Sequence, residues 1–203
     1  MENPRKKIFN NLAETWDEHS ILTTEKQKTV NDILNHSSIL LNDRILDVGC
    51  GTGILIPYLL YRLGTKGEII GIDLAENMIK IARSKFNDKR VSFIAGDILV
   101  KAFPHNSFDK IFVFSTFPHF DDKEKYFKVF YTILKRFGIL TIFHVASSID
   151  INNYHQKLET EELKKDYLPS INEMVEFTRG SKWKVIAAED KTDLYQFQVM
   201  KEQ

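Results

Sequence analysis

The chain has 203 residues, 43% of them hydrophobic and 28% charged, with 28 basic residues against 28 acidic ones. That length suits one domain with a full core, so a single domain over 1–203 is expected, and a net charge of zero supplies no global field that would draw it to nucleic acid or an anionic membrane. The one cysteine, Cys50, precludes an internal disulfide and fits a reducing, cytoplasmic setting. Met1–Lys7 is not followed by an apolar core long enough for a signal peptide, and no run approaches the ~18 apolar residues of a membrane span.

Ile8, Phe9, Leu12, Ala13 and Trp16 fall on one face of a predicted amphipathic helix over 5–18, and Val30, Ile33 and Leu34 on the inward face of a second over 24–37. The β-prone run Arg44-Ile45-Leu46-Asp47-Val48 then enters Gly49-Cys50-Gly51-Thr52-Gly53. Beyond it Ile54, Leu55, Leu59 and Leu63 recur at helical spacing. The pattern predicts strand, tight loop and a helix over 54–63, with Pro57 tolerated in its first turn. Glycines at the bends let backbone approach a ligand without an intervening Cβ, and the helix start would aim free N–H groups at the loop. Cys50 reads as a small turn residue rather than a nucleophile. A dinucleotide fingerprint needs G-x-G-x-x-G; here the glycines stand at 49, 51 and 53 with Ile54 next, so that spacing fails.

Glu68–Asp73 is a second strand ending in Asp73, twenty residues after Gly53. An acid there can accept both hydroxyls of a ribose, or cap the helix that begins near Ala75. A helix over 76–86, a strand over 91–95 and the turn Gly96-Asp97-Ile98 follow. Phe108–Phe114 is a fourth, mostly apolar strand, as expected of burial in a parallel sheet. A helix over 121–136 leads to a fifth strand over 138–144, ending in His144. Residues 149–179 leave the β/α alternation, with helices predicted over 150–165 and 170–178 on either side of Pro169. Residues 183–189 and 195–200 alternate as a hairpin-like pair of last strands. The sum is an α/β chain: a Rossmann-like, doubly wound, seven-stranded sheet, mostly parallel with an antiparallel last strand.

The stretch Ile45-Leu46-Asp47-Val48-Gly49-Cys50-Gly51-Thr52-Gly53 closely resembles the first motif of the class I S-adenosylmethionine (SAM)-dependent methyltransferases, in their small-molecule branch. The likeness continues through Gly71-Ile72-Asp73-Leu74-Ala75-Glu76-Asn77-Met78 and Asp97-Ile98, and in Phe9–His19. It implies SAM as cofactor and S-adenosylhomocysteine as product. Asp47, Gly49, Cys50, Gly51 and Gly53 would line the methionine moiety, with the strand-end acid near its amino group. Asp73 would hold the ribose. Leu74 and Met78 would border the adenine, unless they are simply helix core, while Asp97 and the backbone of Ile98 would contact it. Phe114 would stand beside the transferable methyl group. Residues 1–40 would form a helical lid over the cofactor, or a helix simply packed on the domain. The 149–179 insertion would carry the acceptor side. The Asn-Pro-Pro-aromatic motif of amino-methylating DNA and glutamine enzymes is absent after the fourth strand, where Ser115-Thr116-Phe117-Pro118-His119-Phe120 stands instead.

Methyl transfer from a sulfonium is an in-line displacement in which alignment supplies much of the acceleration. Trp16, Phe117 and Phe120 are aromatic candidates for sheltering the positive sulfur, or are core. In an open α/β sheet the ends of strands four and five face the ligand crevice, which puts His119 and His144 forward as acceptor contacts or bases, with His155 following in the insertion. A metal held by these histidines has no sharp spacing signature, and no metal site is expected. The expected function is methyl transfer to a small-molecule acceptor, by a monomer or homodimer. The alternative is a SAM-binding protein or subunit without transfer of its own. An NAD-dependent reductase is disfavoured by Ile54 and the lack of a Tyr-x-x-x-Lys pair.

Overall fold

The computed structural model describes residues 3–203; the first two residues of the expected N-terminal segment lie outside them. The chain divides into two compact units, the first running through Ala102 and the second spanning Phe103–Gln203.

The first unit opens with α1 (Pro4–Leu12), whose N-cap Asn3 accepts from the Arg5 N–H, then α2 (Trp16–His19) and α3 (Thr24–His36). The single helix expected over 5–18 is therefore interrupted. The reason lies at Asn10: Asn77 donates its backbone N–H to Asn10 Oδ1 at 2.9 Å and its side-chain amide to the Asn10 carbonyl at 3.1 Å. That engages the carbonyl that a continuing helix would offer to Glu14, and the chain passes through tighter turns at Thr15 and Trp16. Ala13 packs with Ala75 and Met78, and Phe9, Trp16 and Ile81 close around them.

β1 (Arg44–Val48), α4 (Ile56–Arg62), β2 (Glu68–Asp73), α5 (Glu76–Lys85) and β3 (Val91–Ala95) complete this unit. β2 pairs in parallel with both neighbours, as chains with helical crossovers require. The helix after the glycine loop begins at Ile56 rather than 54, because Gly53 turns left-handed at φ 92°.

The second unit holds β4 (Phe108–Phe114), a 3-10 turn at Phe117–His119, α6 (Lys123–Ile133), β5 (Leu134–His144), α7 (Ser148–Lys157), α8 (Glu161–Lys164), α9 (Ile171–Glu176), β6 (Trp183–Lys191) and β7 (Leu194–Lys201). Two expectations change here. The helix predicted to 136 ends at Ile133, since Leu134 is already extended, and β5 starts there with a bulge before Ile139. The carbonyls at its end explain the early stop: the buried Lys201 ammonium donates to Tyr131 O at 2.7 Å and Leu134 O at 2.8 Å, capping the helix from the side. The helix predicted over 150–165 also splits. Asn152 exchanges two hydrogen bonds with the Leu168 backbone, at 2.8 and 3.0 Å, which folds the chain back after Leu158.

β5 is parallel to β4 and antiparallel to β7, and β7 is antiparallel to β6. The strands follow the order β3-β2-β1-β4-β5-β7-β6. This is the mixed, mostly parallel α/β sheet with an antiparallel last strand that the sequence leads one to expect. No helix among the described residues is long and apolar enough to cross a membrane.

Candidate functional site

In the first unit β1 delivers Asp47 and then turns through three left-handed glycines, Gly49, Gly51 and Gly53, at φ 70°, 53° and 92°. The loop is tied down by its own backbone. Gly49 and Cys50 donate to the Ile72 carbonyl at 2.8 and 3.2 Å, and Gly53 donates to the Cys50 carbonyl at 2.9 Å. The expected contribution of the following helix is replaced by this loop, because α4 starts three residues further on. At Gly53 a side chain is doubly excluded: the left-handed φ would strain it, and an added Cβ would lie 2.5 Å from the Phe86 ring. Cys50 is buried with its sulfur over Gly71, where an added Cβ would meet it at 2.9 Å. Burial, and then the nearby Asp47 and Asp73 charges, push its thiol pKa up, so it is an inert packing residue.

Asp47 is 1% exposed, and its Oδ2 is buried with no hydrogen-bond partner. Burial first, and the charge of Asp73 second, push its pKa up to about 7. A lone carboxylate oxygen at a strand end, beside a bare backbone turn, is matched by a cationic donor such as an ammonium group.

Asp73 serves the loop and the helix at once. Its Oδ2 accepts from Gly51 N–H and its Oδ1 from Ala75 N–H, both at 2.9 Å. One of the two readings of this residue, a bond to the start of the helix near Ala75, is thus present in the fold. Gly96 donates its N–H to the Asp73 carbonyl at 2.8 Å, which brings the Asp97 turn alongside. Asp97 Oδ1 accepts from Leu99 N–H at 2.8 Å, and Ile98 is buried. A Cβ on Gly96 would meet nothing within 4 Å, leaving a clear face beside this turn. Leu74 is half-buried, whereas Met78 is 2% exposed and packs with Ala13 and Ala75 in the core under α1.

The N-terminal segment is latched to the same loop. Thr52 donates its hydroxyl to Asp17 Oδ1 at 2.5 Å, and Lys85 pairs with the other oxygen. Burial alone would raise the Asp17 pKa, but the Lys85 and Thr52 hydrogen bonds hold it below the ordinary value. The indole Nε1 of Trp16 comes within 3.5 Å of where a Gly51 side chain would begin.

The remaining candidates lie in the second unit. Phe114 stacks on Phe143 with ring centroids 4.6 Å apart and is nearly buried. Phe117 is fully buried and meets Phe120 and Phe127 edge-on, which makes it core. Phe120 stacks on Tyr126 at 3.9 Å. His119 lies in the 3-10 turn beyond β4, and its Nδ1 is 2.5 Å from Oδ2 of Asp166. Its ring is 5.3 Å from that of His155, centroid to centroid. His144, the last residue of β5, is buried, and burial followed by the His119 and His155 rings pushes its pKa down to about 3. His155 is pushed down by burial and by His119, against the pull of Asp166. Among the described residues no group of three or more His, Cys, Asp or Glu side chains is arranged to hold a metal.

Asp166 is the residue that sequence reasoning misses. It stands in Lys164-Lys165-Asp166-Tyr167, a charged run that reads as solvated surface, yet its side chain is completely buried. The charges around it masked an acid that the turn after α8 carries inward.

A family model described as a methyltransferase domain matches residues 40–198. The chain is 33% identical over 135 residues to a malonyl-[acyl-carrier protein] O-methyltransferase of Priestia megaterium, a match over 66% of this chain and 48% of the relative. It is 28% identical over 184 residues to phosphoethanolamine N-methyltransferase 1 of Zea mays, over 89% of this chain and 36% of the relative. The chain thus spans half or less of the length of these two curated relatives. The structure of a SAM-dependent methyltransferase from Aquifex aeolicus shares the fold, with TM-score 0.72, 20% identity and coverage of 97% and 98% of the two chains.

Proposed function

The chain belongs to the methyltransferase-domain family of class I SAM-dependent methyltransferases, and we propose that it transfers a methyl group from SAM to a small-molecule acceptor in the cytoplasm. The observation that carries this reading is Asp47: a buried carboxylate oxygen without a partner, set beside a left-handed glycine turn. A ligand with an ammonium group fits that oxygen, and the methionine end of SAM carries one. When bound, SAM would supply a methyl group on a positively charged sulfur. Asp47 binds the amino group, and the backbone from Gly49 to Gly53 lets the methionine moiety approach without side chains in the way. Asp73 orients the ribose while bracing Gly51 and Ala75. Asp97 and Ile98 border the adenine beside the clear face at Gly96. Trp16, held against Gly51 by the Asp17 latch, shields the site from water and offers its ring to the sulfonium. His119 and His144 serve the acceptor.

The two relatives are named for transfer to oxygen and to nitrogen, so likeness alone does not choose the acceptor atom. The test is turnover of methyl-labelled SAM against a panel of alcohol, phenol, thiol and amine acceptors. Labelled product with at least one of them, and matching formation of S-adenosylhomocysteine, is the expected result. SAM binding without transfer to any member of the panel would move the chain to the class of SAM-binding subunits.

A further inference from the structure

The centre of the glycine turn in the first unit is built from the least rigid residues available. Thr52 stands between Gly51 and Gly53, both left-handed, at φ 53° and 92°. Glycine gives up more conformational freedom on ordering than any other residue, so a turn of this composition does not hold its shape unaided. Thr52 supplies the side chain by which it can be held. It is 1% exposed, and its hydroxyl donates to Oδ1 of Asp17, 35 positions away in the chain, at 2.5 Å. Lys85, the last residue of α5, pairs with Oδ2 of Asp17 and also donates to the Thr52 carbonyl at 3.4 Å. Asp17, Lys85 and Thr52 thus close a ring that takes one residue of the turn by its hydroxyl and by its carbonyl.

The members of the ring are unequal. The Asp17–Lys85 pair is partly exposed on both sides and contributes little by itself. The bond from the buried Thr52 hydroxyl is charge-assisted, and losing its acceptor would strand a polar group out of water. Asp17 also follows Trp16 directly, and the Trp16 indole lies 3.5 Å from where a Gly51 side chain would begin. Trp16 meets Phe9 edge-on at 5.8 Å, and α1 is tied to the start of α5 through Asn10 and Asn77. Those contacts seat the N-terminal segment on the unit. The Asp17 carboxylate carries that seating through to the middle of the turn. Asp17, Lys85 and Gly53 also border a cavity of about 310 Å³ that Ile21, Ile54 and Pro57 line, so close packing does not fix the turn on that side.

We propose that Asp17 is a positioning residue of the cofactor site: it grips Thr52 and so holds the glycine turn in the conformation that receives the methionine moiety. The proposal rests on the SAM reading and adds to it the residue that pre-organises the turn. Pre-organisation raises affinity because the glycines are ordered before the ligand arrives. The effect is selective. S-adenosylhomocysteine carries the methionine-derived part and depends on the grip. Adenosine lacks that part, meets the acids at 73 and 97 on the same reading, and does not depend on it.

The test compares the full chain with Asp17→Ala, Thr52→Val, the two combined, and Thr52→Ser. Thr52→Val keeps the shape of the side chain, so it reads the lost hydroxyl even if Asp17→Ala fails to fold; urea midpoints establish which variants are folded. In calorimetry, Asp17→Ala and Thr52→Val are each expected to weaken S-adenosylhomocysteine binding about 5- to 50-fold. The combined variant should lose about as much as the worse single one, because both remove one bond. Thr52→Ser, which restores the hydroxyl, should stay within about threefold of wild type, and adenosine affinity should stay within about threefold throughout. Without ligand, amide exchange at Gly51 and Gly53 should quicken about 5- to 50-fold in Thr52→Val and return toward the wild-type rate in Thr52→Ser. Unchanged S-adenosylhomocysteine affinity in both folded single variants, equal losses for it and adenosine, or unchanged exchange at both glycines would overturn the proposal. The two levels separate cleanly. A wild type that binds neither nucleoside defeats the SAM reading, and the exchange rates still report whether Thr52 holds the turn. A wild type that binds both, with variants that bind equally well, defeats this inference alone.

Discussion

Asp47 and His144 are both buried and both shifted, and they act on stability with opposite signs. The folded pKa of Asp47 is about 7, well above its ordinary value, so the folded chain holds that proton more tightly than the unfolded one. Its contribution is present in full below about pH 4 and is lost as pH rises through 7, by an amount on the order of 4 kcal/mol. His144, at about 3, is the reverse: its contribution is present above about pH 6.5 and is lost as pH falls toward 3. The wild-type profile reads the difference, so variants are needed to separate the two. Chemical denaturation of Asp47→Asn is expected to show a more stable protein than wild type at pH 8, and the advantage should shrink toward pH 4. The same change should weaken SAM binding by about 2–4 kcal/mol, since it removes a charged partner from a buried ammonium. SAM affinity of the wild type should rise between pH 6 and 8 as Asp47 ionises, while that of the variant stays flat. Equal stability and equal SAM affinity in the two proteins would show that Asp47 meets no ligand charge.

At the scale of elements, the helix ends are where sequence patterning and structure part. The apolar spacing of α1 continues past its last residue, and only the Asn10–Asn77 pair, 67 positions apart in the chain, breaks the helix at Leu12. Periodicity cannot register a side chain arriving from so far away. The same holds at the end of α6, where Lys201 reaches 67 and 70 positions back to cap Leu134 and Tyr131 and also donates to Asn106 Oδ1 at 2.8 Å. Burial pushes the Lys201 pKa down, yet three acceptors surround its ammonium. Lys201→Met keeps much of the bulk and removes all three bonds. It is expected to cost about 2–4 kcal/mol in a urea titration, with α6 losing amide-exchange protection at its last turn. An unchanged midpoint would mean that α6 ends at Ile133 without help. The strand and loop that carry Asp47 and the glycines needed no such distant partner. Their strand is a five-residue run, their turn is written in glycine, and both were legible as sequence.

Across the whole molecule, what was legible follows what is local. The seven strands, the antiparallel last one, and the acids at 47, 73 and 97 could be read because strand-end positions follow directly from the pattern of apolar runs and turns. The histidine cluster could be read only in part. His119 and His144 stand at strand ends and were noticeable, but Asp166 lies in a lysine-rich run, and its burial depends on how α7 and α8 fold back through Asn152 and Leu168. Met78, offered as a cofactor neighbour or as core, packs in the core with Ala13 and Ala75. The central claim is that the first unit is built for SAM, and isothermal titration of the chain with SAM, S-adenosylhomocysteine and NAD tests it most directly. Saturable binding of both sulfur nucleosides, with none for NAD, is the predicted result. Tight binding of NAD with no heat from either SAM or S-adenosylhomocysteine would contradict it.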